Sequence, residues 1–267
     1  MIKMDNCRTI MVTSCKGGVG KSTIAANLGI KLALSGKKVV IIDCDFGVRS
    51  LDLIMGLEDE VIFDIVDIVK RDISPEKALV RDERAPELYF CAAPYSYDDE
   101  LDEENFAAGI EKIKSFISPD YIFVDTPGDT GIPFRLAAAV SDMALVVSTY
   151  QPISIRAAES TGLLLEKLGV KDRRLIINCF DPFGGEKNDL PMITEVIDKT
   201  AIRLIGIIPF DTKLSEYQTR GQDVFMIPDS DAATAFINIE RRLDGLNVPL
   251  FTGFRQHNRN TLLKALF

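Results

Sequence analysis

Lys16, Lys21, Ser22 and Thr23 stand around three glycines, Gly17, Gly18 and Gly20, with Val19 among them. That spacing suits the capture of a phosphate chain. Glycines let a backbone curl tightly and aim several N–H groups at one anion. An apolar stretch, Thr9 to Ser14, precedes the turn, and good helix formers follow Ser22. Strand, glycine turn and helix, in that order, is the setting a phosphate-binding loop requires. The positive end of the helix dipole adds to the field at the anion. Lys21 is expected to reach the terminal phosphates of a nucleoside triphosphate, and the Ser22 hydroxyl to hold Mg²⁺. Cys15 stands where the usual loop pattern has its first glycine.

Carboxylates close two further apolar runs. Asp43 and Asp45 follow Val39-Val40-Ile41-Ile42, and Asp125 follows Tyr121-Ile122-Phe123-Val124. Ligands of open α/β sheets sit outside the carboxyl ends of the strands, so these acids are expected to face the phosphate loop. Acids beside a triphosphate repel it unless they serve a cation or an attacking water. The alternative for Asp43 or Asp45 is a turn cap. Gly128, in the turn after Asp125, can bring a backbone N–H toward the last phosphate.

The elements that must position these residues follow from periodicity. Apolar runs alternate with helical patterns along the whole length, so the expectation is an α/β fold: a mostly parallel, twisted sheet with helices on both faces. Strands are expected at 9–14, 38–42, 88–91, 121–125, 143–148, 175–178 and 204–208. Helices are expected at 22–35, 59–71, from Pro75, 103–117, 153–168, 213–220 and 232–243. In the 153–168 helix, Ile155, Leu163, Leu164 and Leu168 read as core. Asn178 ends a strand with an amide that can both donate and accept.

At 267 residues the chain is long enough for one sizeable domain, assigned to residues 1–243. Net charge is −9 and the isoelectric point is near 4.8, which argues against a general nucleic-acid coat. Five scattered cysteines and one histidine offer no zinc pattern and no disulfide framework, so a reducing cytoplasm is expected. Met1 to Arg8 is too polar and short for a signal peptide. Residues 244–253 read as a linker. Residues 254–267 contain no acid, and as a helix they group Leu262, Leu263, Leu266 and Phe267 beside Arg255, Arg259 and Lys264. That is the makeup of an amphipathic helix lying on an anionic membrane surface.

Lys16-Gly17-Gly18-Val19-Gly20-Lys21-Ser22-Thr23 resembles the deviant phosphate loop of the MinD/ParA ATPases, which are P-loop NTPases. Asp43 to Glu58 is similar to the MinD version of the next segment. The resemblance implies slow, partner-stimulated hydrolysis of ATP with Mg²⁺ and an ATP-dependent homodimer in which Lys16 crosses into the partner's site. It assigns Asp45 to the attacking water, and Asp43 and Asp125 to the surroundings of the metal. It places adenine against Asn178 and against Pro209 and Phe210, although Phe210 replaces the usual acid. Thr126 and Gly128 stand where Ser and Ala are usual. The implied role is a cytoplasmic ATPase, reversibly peripheral on the inner face of the cell membrane, that positions the division site or another polar structure with an activating regulator. Arg156 and Glu159 are candidates for that partner surface. Alternatives are a flagellar-placement relative and a ParA-type DNA-cargo ATPase, whose salt-sensitive DNA binding the acidic balance disfavours. A metabolic phosphate-loop enzyme, an iron–sulfur reductase lacking its paired cysteines and a kinase lacking a tyrosine-rich tail fit less well.

Overall fold

A computed structural model describes residues 7–96, 101–181 and 193–254. Among these residues eight strands form one sheet in the order β3-β4-β2-β5-β1-β6-β7-β8. The strands are β1 (Arg8–Thr13), β2 (Val39–Asp43), β3 (Val80–Arg81), β4 (Leu88–Cys91), β5 (Tyr121–Asp125), β6 (Met143–Ser148), β7 (Asp172–Phe180) and β8 (Arg203–Pro209). All pair in parallel except β3, which runs antiparallel to β4 at one edge. Val80 and Arg81 are too few to show a periodicity, so the sequence alone does not predict this strand.

Parallel strands need crossover helices, and these cover both faces. The helices are α1 (Lys21–Leu34), α2 (Leu51–Met55), α3 (Ile65–Lys70), α4 (Pro75–Ala78), α5 (Glu103–Ile117), α6 (Ile132–Val140), α7 (Pro152–Lys167), α8 (Ile193–Thr200), α9 (Thr212–Gln218) and α10 (Asp231–Leu243). Successive strand residues point to opposite faces. Ile10, Val12, Val39 and Ile41 therefore join α1 and α10 in one core. Met11, Val40 and Ile42 join α3, α5, α6 and α7 in the other.

The helix expected over 59–71 is shorter than its apolar spacing suggests. Asp64 accepts hydrogen bonds from the N–H groups of Val66 and Asp67, and Asp67 returns one from the Asp64 N–H, so the helix starts only at Ile65. Ile62 stands 80% exposed before it. Leu163, read as core in α7, is 57% exposed; Ile155 is buried, and Leu164 and Leu168 are partly buried. The helices α2, α6 and α8 were not expected.

The stretch read as a linker lies against the body. Phe251 is buried, Phe254 packs edge-on against Phe180 and Phe251, and the Tyr121 hydroxyl donates to Asp244 at 2.7 Å. Residues 255–267, which hold the expected amphipathic helix, lie outside the described residues. No helix among the described residues is long and apolar enough to cross a membrane.

Candidate active site

The register of β2 and β5 places Asp43 opposite Asp125, and β1 lies on the other side of β5. The loop after β1 therefore rises beside both carboxylates. Within it Gly18 and Gly20 take left-handed backbone angles, φ +72° and +94°. Helix α1 begins at Lys21 with no side-chain cap on its first N–H groups and no acid in its first turn. Those orphan donors and the helix dipole make an anion cradle. The Lys21 side chain is buried there, while Lys16 is half-buried and donates to the Gln151 side chain at 3.3 Å. Gln151 is the residue before α7. The Cys15 N–H donates to Thr161 Oγ1 at 3.0 Å, so α7 also anchors the start of the loop.

Asn178 is brought to the loop by a distortion in β7. Its register with β8 shifts between Ile177 and Phe180, and Cys179 takes a φ of +51°. A bulge re-aims side chains. Here it sets the buried Asn178 amide to donate from Nδ2 to the Val19 carbonyl at 2.8 Å. The same amide fills the space in which a Cβ on Gly20 would stand. Pro209 pairs with Phe180 across β7 and β8, and the Phe210 N–H donates to the Phe180 carbonyl at 3.0 Å. Pro209, Phe210 and Asn178 thus share the carboxyl edge of two neighbouring strands.

The acids differ in what they do. Asp43 is fully buried; its oxygens accept from the N–H groups of Asp45 at 2.7 Å and Leu51 at 3.2 Å. Asp43 therefore shapes the turn that carries Asp45. Burial raises its pKa to about 7, against the lowering effect of those two N–H groups. Asp125 is fully buried, and neither oxygen has a hydrogen-bond partner among the described residues. Burial, then the charge of Asp43, holds its pKa well above the usual carboxylate range, while Ser22 and Lys21 pull it down. Asp45 is half-buried. Burial raises its pKa, Lys21 lowers it and Asp129 raises it further.

An orphaned buried carboxylate beside a serine hydroxyl and an ammonium fits the surroundings of a cation. The described residues hold no cluster of three or more His, Cys, Asp and Glu that would cage a metal by themselves. That suits Mg²⁺, which keeps waters and takes phosphate oxygens alongside one or two protein ligands.

Other residues meet the site with no spacing signal to announce them. Arg49 is buried at φ +49°, donates from Nε to Asp52 at 2.5 Å and lies 4.1 Å from the centre of the Tyr95 ring. Next to it Ser50 donates to the Ser22 hydroxyl at 3.4 Å. Thr23 donates to the Gln218 side chain at 3.3 Å, tying the loop to α9. After β5, Thr126 donates through both its N–H and its hydroxyl to the Val12 carbonyl, at 3.2 and 3.1 Å. Gly128 then comes into contact with Gly17.

Residues 10–224 match the model of the CobQ/CobB/MinD/ParA nucleotide binding domain. The chain is 38% identical to a septum site-determining protein MinD of Synechocystis, over 97% of both chains. It is similar to a chain of the MinC:MinD cell division protein complex of Aquifex aeolicus, at 35% identity and a TM-score of 0.85, covering 93% of this chain and all of that one. It also resembles the septum site-determining protein MinD of Pyrococcus horikoshii complexed with Mg-ADP, at 26% identity and a TM-score of 0.77 over 89% of this chain and 96% of that one.

Proposed function

The chain belongs to the CobQ/CobB/MinD/ParA nucleotide-binding family, and from that premise we propose that it is a MinD-type ATPase whose nucleotide state sets its pairing and its place on a membrane. ATP and Mg²⁺ are its substrate and cofactor. The observation that carries the site reading is Asp125, fully buried, with no partner at normal hydrogen-bond geometry among the described residues and with Ser22 and Lys21 both favouring its charged form.

The N–H groups of Gly17, Gly18, Val19, Gly20, Lys21 and Ser22 receive the phosphates, and the Lys21 ammonium balances the terminal charge. Ser22, Asp125 and Asp43 are the residues that would hold Mg²⁺, directly or through water, and the chemistry it would supply is neutralisation of charge on the phosphate oxygens. Asp45 orients the attacking water. Its N–H is fixed on Asp43, so the position of its carboxylate is set by the strand end below it. Asn178 reads the adenine edge, and Pro209 and Phe210 cover the base.

Lys16 supports the dimer part of the reading. Its bond to Gln151 is long, exposed and made to a neutral amide, so breaking it costs about 1 kcal/mol or less. The side chain is therefore free to reach a second subunit's phosphates. Two weak membrane tails on one dimer act at high effective concentration and bind orders of magnitude better than one. The exposed face of α7, with Ile153, Arg156, Glu159 and Leu163, is the surface we assign to a regulator protein.

Sedimentation with anionic liposomes tests the whole cycle. The protein is expected to pellet with ATP and stay in solution with ADP, while releasing phosphate slowly. Equal pelleting in both states, or none in either, refutes the membrane cycle. Salt-sensitive binding to DNA in place of lipid points to a ParA-type role.

A further inference from the structure

The sheet has a second charged end. At the amino-terminal ends of β1, β6, β7 and β8, opposite the edge that carries the phosphate loop, lies a cleft of about 440 Å³. Four arginines line it: Arg8 from β1, Arg174 from β7, Arg203 from β8 and Arg242 from α10. Among the described residues of the lining Asp172 is the single acid, and Arg174 holds it at 2.6 Å. The nearby Asp142 accepts from the Thr9 N–H, and Asp244 is engaged by the Tyr121 hydroxyl, with Lys37 at 3.9 Å.

The protein's own acceptors do not satisfy this cluster. Arg8 donates to the Leu243 carbonyl at 3.1 Å and Arg242 to the Val248 carbonyl at 2.6 Å, which uses one nitrogen of each. The Arg242 Nε is buried with no partner among the described residues. Arg203 makes no ion pair among them, and its side chain is exposed at the mouth. Guanidiniums stay charged at any working pH and repel one another when they converge. In a chain of net charge −9 this convergence is unusual. A planar fork of donors matches phosphate oxygens, and several forks around one cavity match several phosphates.

We propose that this cleft is a second anion site, independent of the phosphate loop, which takes a small ligand carrying two or more linked phosphate groups. The volume fits the range of small-molecule pockets and suits either an inorganic polyphosphate or the phosphate end of a nucleotide.

Calorimetry on the full chain tests it, with Mg-ADP saturating the phosphate loop and Mg²⁺ in excess. Tripolyphosphate is the first probe and GTP the second. At least one probe is expected to bind saturably with one site per chain and to weaken as salt rises. The double variant Arg174→Gln/Arg203→Gln is expected to lose at least tenfold in affinity while binding Mg-ADP as the parent does. Tighter binding of GTP than of tripolyphosphate makes the ligand a nucleotide; the reverse makes it the bare chain. Absence of saturable binding by either probe, or equal binding by parent and double variant, overturns the proposal. Both results leave the ATPase reading untouched, because the phosphate loop is filled throughout.

Discussion

Gly128 and Gly17 meet backbone to backbone: a Cβ on Gly128 would stand 2.8 Å from the Gly17 nitrogen and 2.9 Å from its Cα. The turn after β5 therefore rests directly on the phosphate loop, held from below by the two Thr126 bonds to Val12. Gly128→Ala has to push the two loops apart. Overpacking between rigid backbones costs roughly 1–3 kcal/mol, and the displaced loop should bind ATP several-fold more weakly. Gly17→Ala is the control, since a Cβ there meets nothing within 4 Å. Its effect on the nucleotide-free protein should stay within about 0.5 kcal/mol. Thermal unfolding of both variants checks the pair; equal loss in both removes the contact as the cause.

Asp125 makes the nucleotide-free protein sensitive to pH. Its folded pKa is raised by burial, so the folded state holds a proton that the unfolded chain has released. Stability attached to this group is full below about pH 4 and is lost as pH rises, at up to about 1.4 kcal/mol per pH unit for one proton. Asp43, raised to about 7, adds to the same trend. Asp125→Asn removes the ionisable group while keeping its shape. The variant is expected to be more stable than the parent at pH 7.5, with the gap closing toward pH 4.5, and to lose the tightening of ATP binding by Mg²⁺. Denaturant unfolding at the two pH values reads the first effect. A gap that does not change with pH contradicts the assignment.

Asn178 serves two ends at once. Removing its amide in Asn178→Ala frees the Val19 carbonyl, at a cost of about 1–3 kcal/mol for a buried acceptor left unmade. It also removes the group assigned to adenine. Preference for ATP over GTP should fall several-fold, while affinity for tripolyphosphate in the nucleotide-free phosphate loop falls less. Competition binding with the three ligands measures this. An unchanged ATP to GTP ratio takes adenine recognition away from Asn178.

These residues were legible in the sequence to different degrees. The phosphate loop and the strand-closing acids carry their chemistry in local spacing, and the strands expected at 88–91, 121–125 and 143–148 match those observed, because short, mostly apolar runs buried on both faces of the sheet leave little choice. What escaped depends on contacts across the chain. The start of α3 is set by the Asp64 and Asp67 side chains, a capping pair that was readable but outweighed by the apolar spacing of Val61 and Ile62. The bulge that aims Asn178 leaves no local mark, and neither do Thr161, Gln151 and Gln218 around the loop. Arg8, Arg174, Arg203 and Arg242 lie far apart in sequence and meet only because the strand order brings four strand ends together.

Lys16 separates binding from pairing. Lys16→Ala should leave ATP affinity within about threefold, since Lys21 and the loop N–H groups remain, and a lost exposed bond is worth about 1 kcal/mol at most. The variant should stay monomeric with ATP and should not hydrolyse it. Sedimentation velocity with ATP and a phosphate-release assay read the two effects. A variant that still turns over ATP at the parent's rate rules out the cross-subunit role.

The membrane tail has to be removed without damaging the body. Phe254 packs on Phe180 and Phe251, and Phe180 also meets Tyr150, so a truncation that takes Phe254 opens this aromatic cluster. Loss of a partly buried phenylalanine at such a site costs on the order of 1–3 kcal/mol. Truncation after Phe254 leaves the cluster whole and removes only residues 255–267. That shorter deletion should keep thermal stability and ATP turnover near the parent's, yet lose ATP-dependent sedimentation with anionic liposomes by at least tenfold. Truncation after Gly253 should lose the same lipid binding and melt several degrees lower as well. If the protein truncated after Phe254 still sediments with liposomes in ATP, lipid contact belongs to another surface of the folded domain.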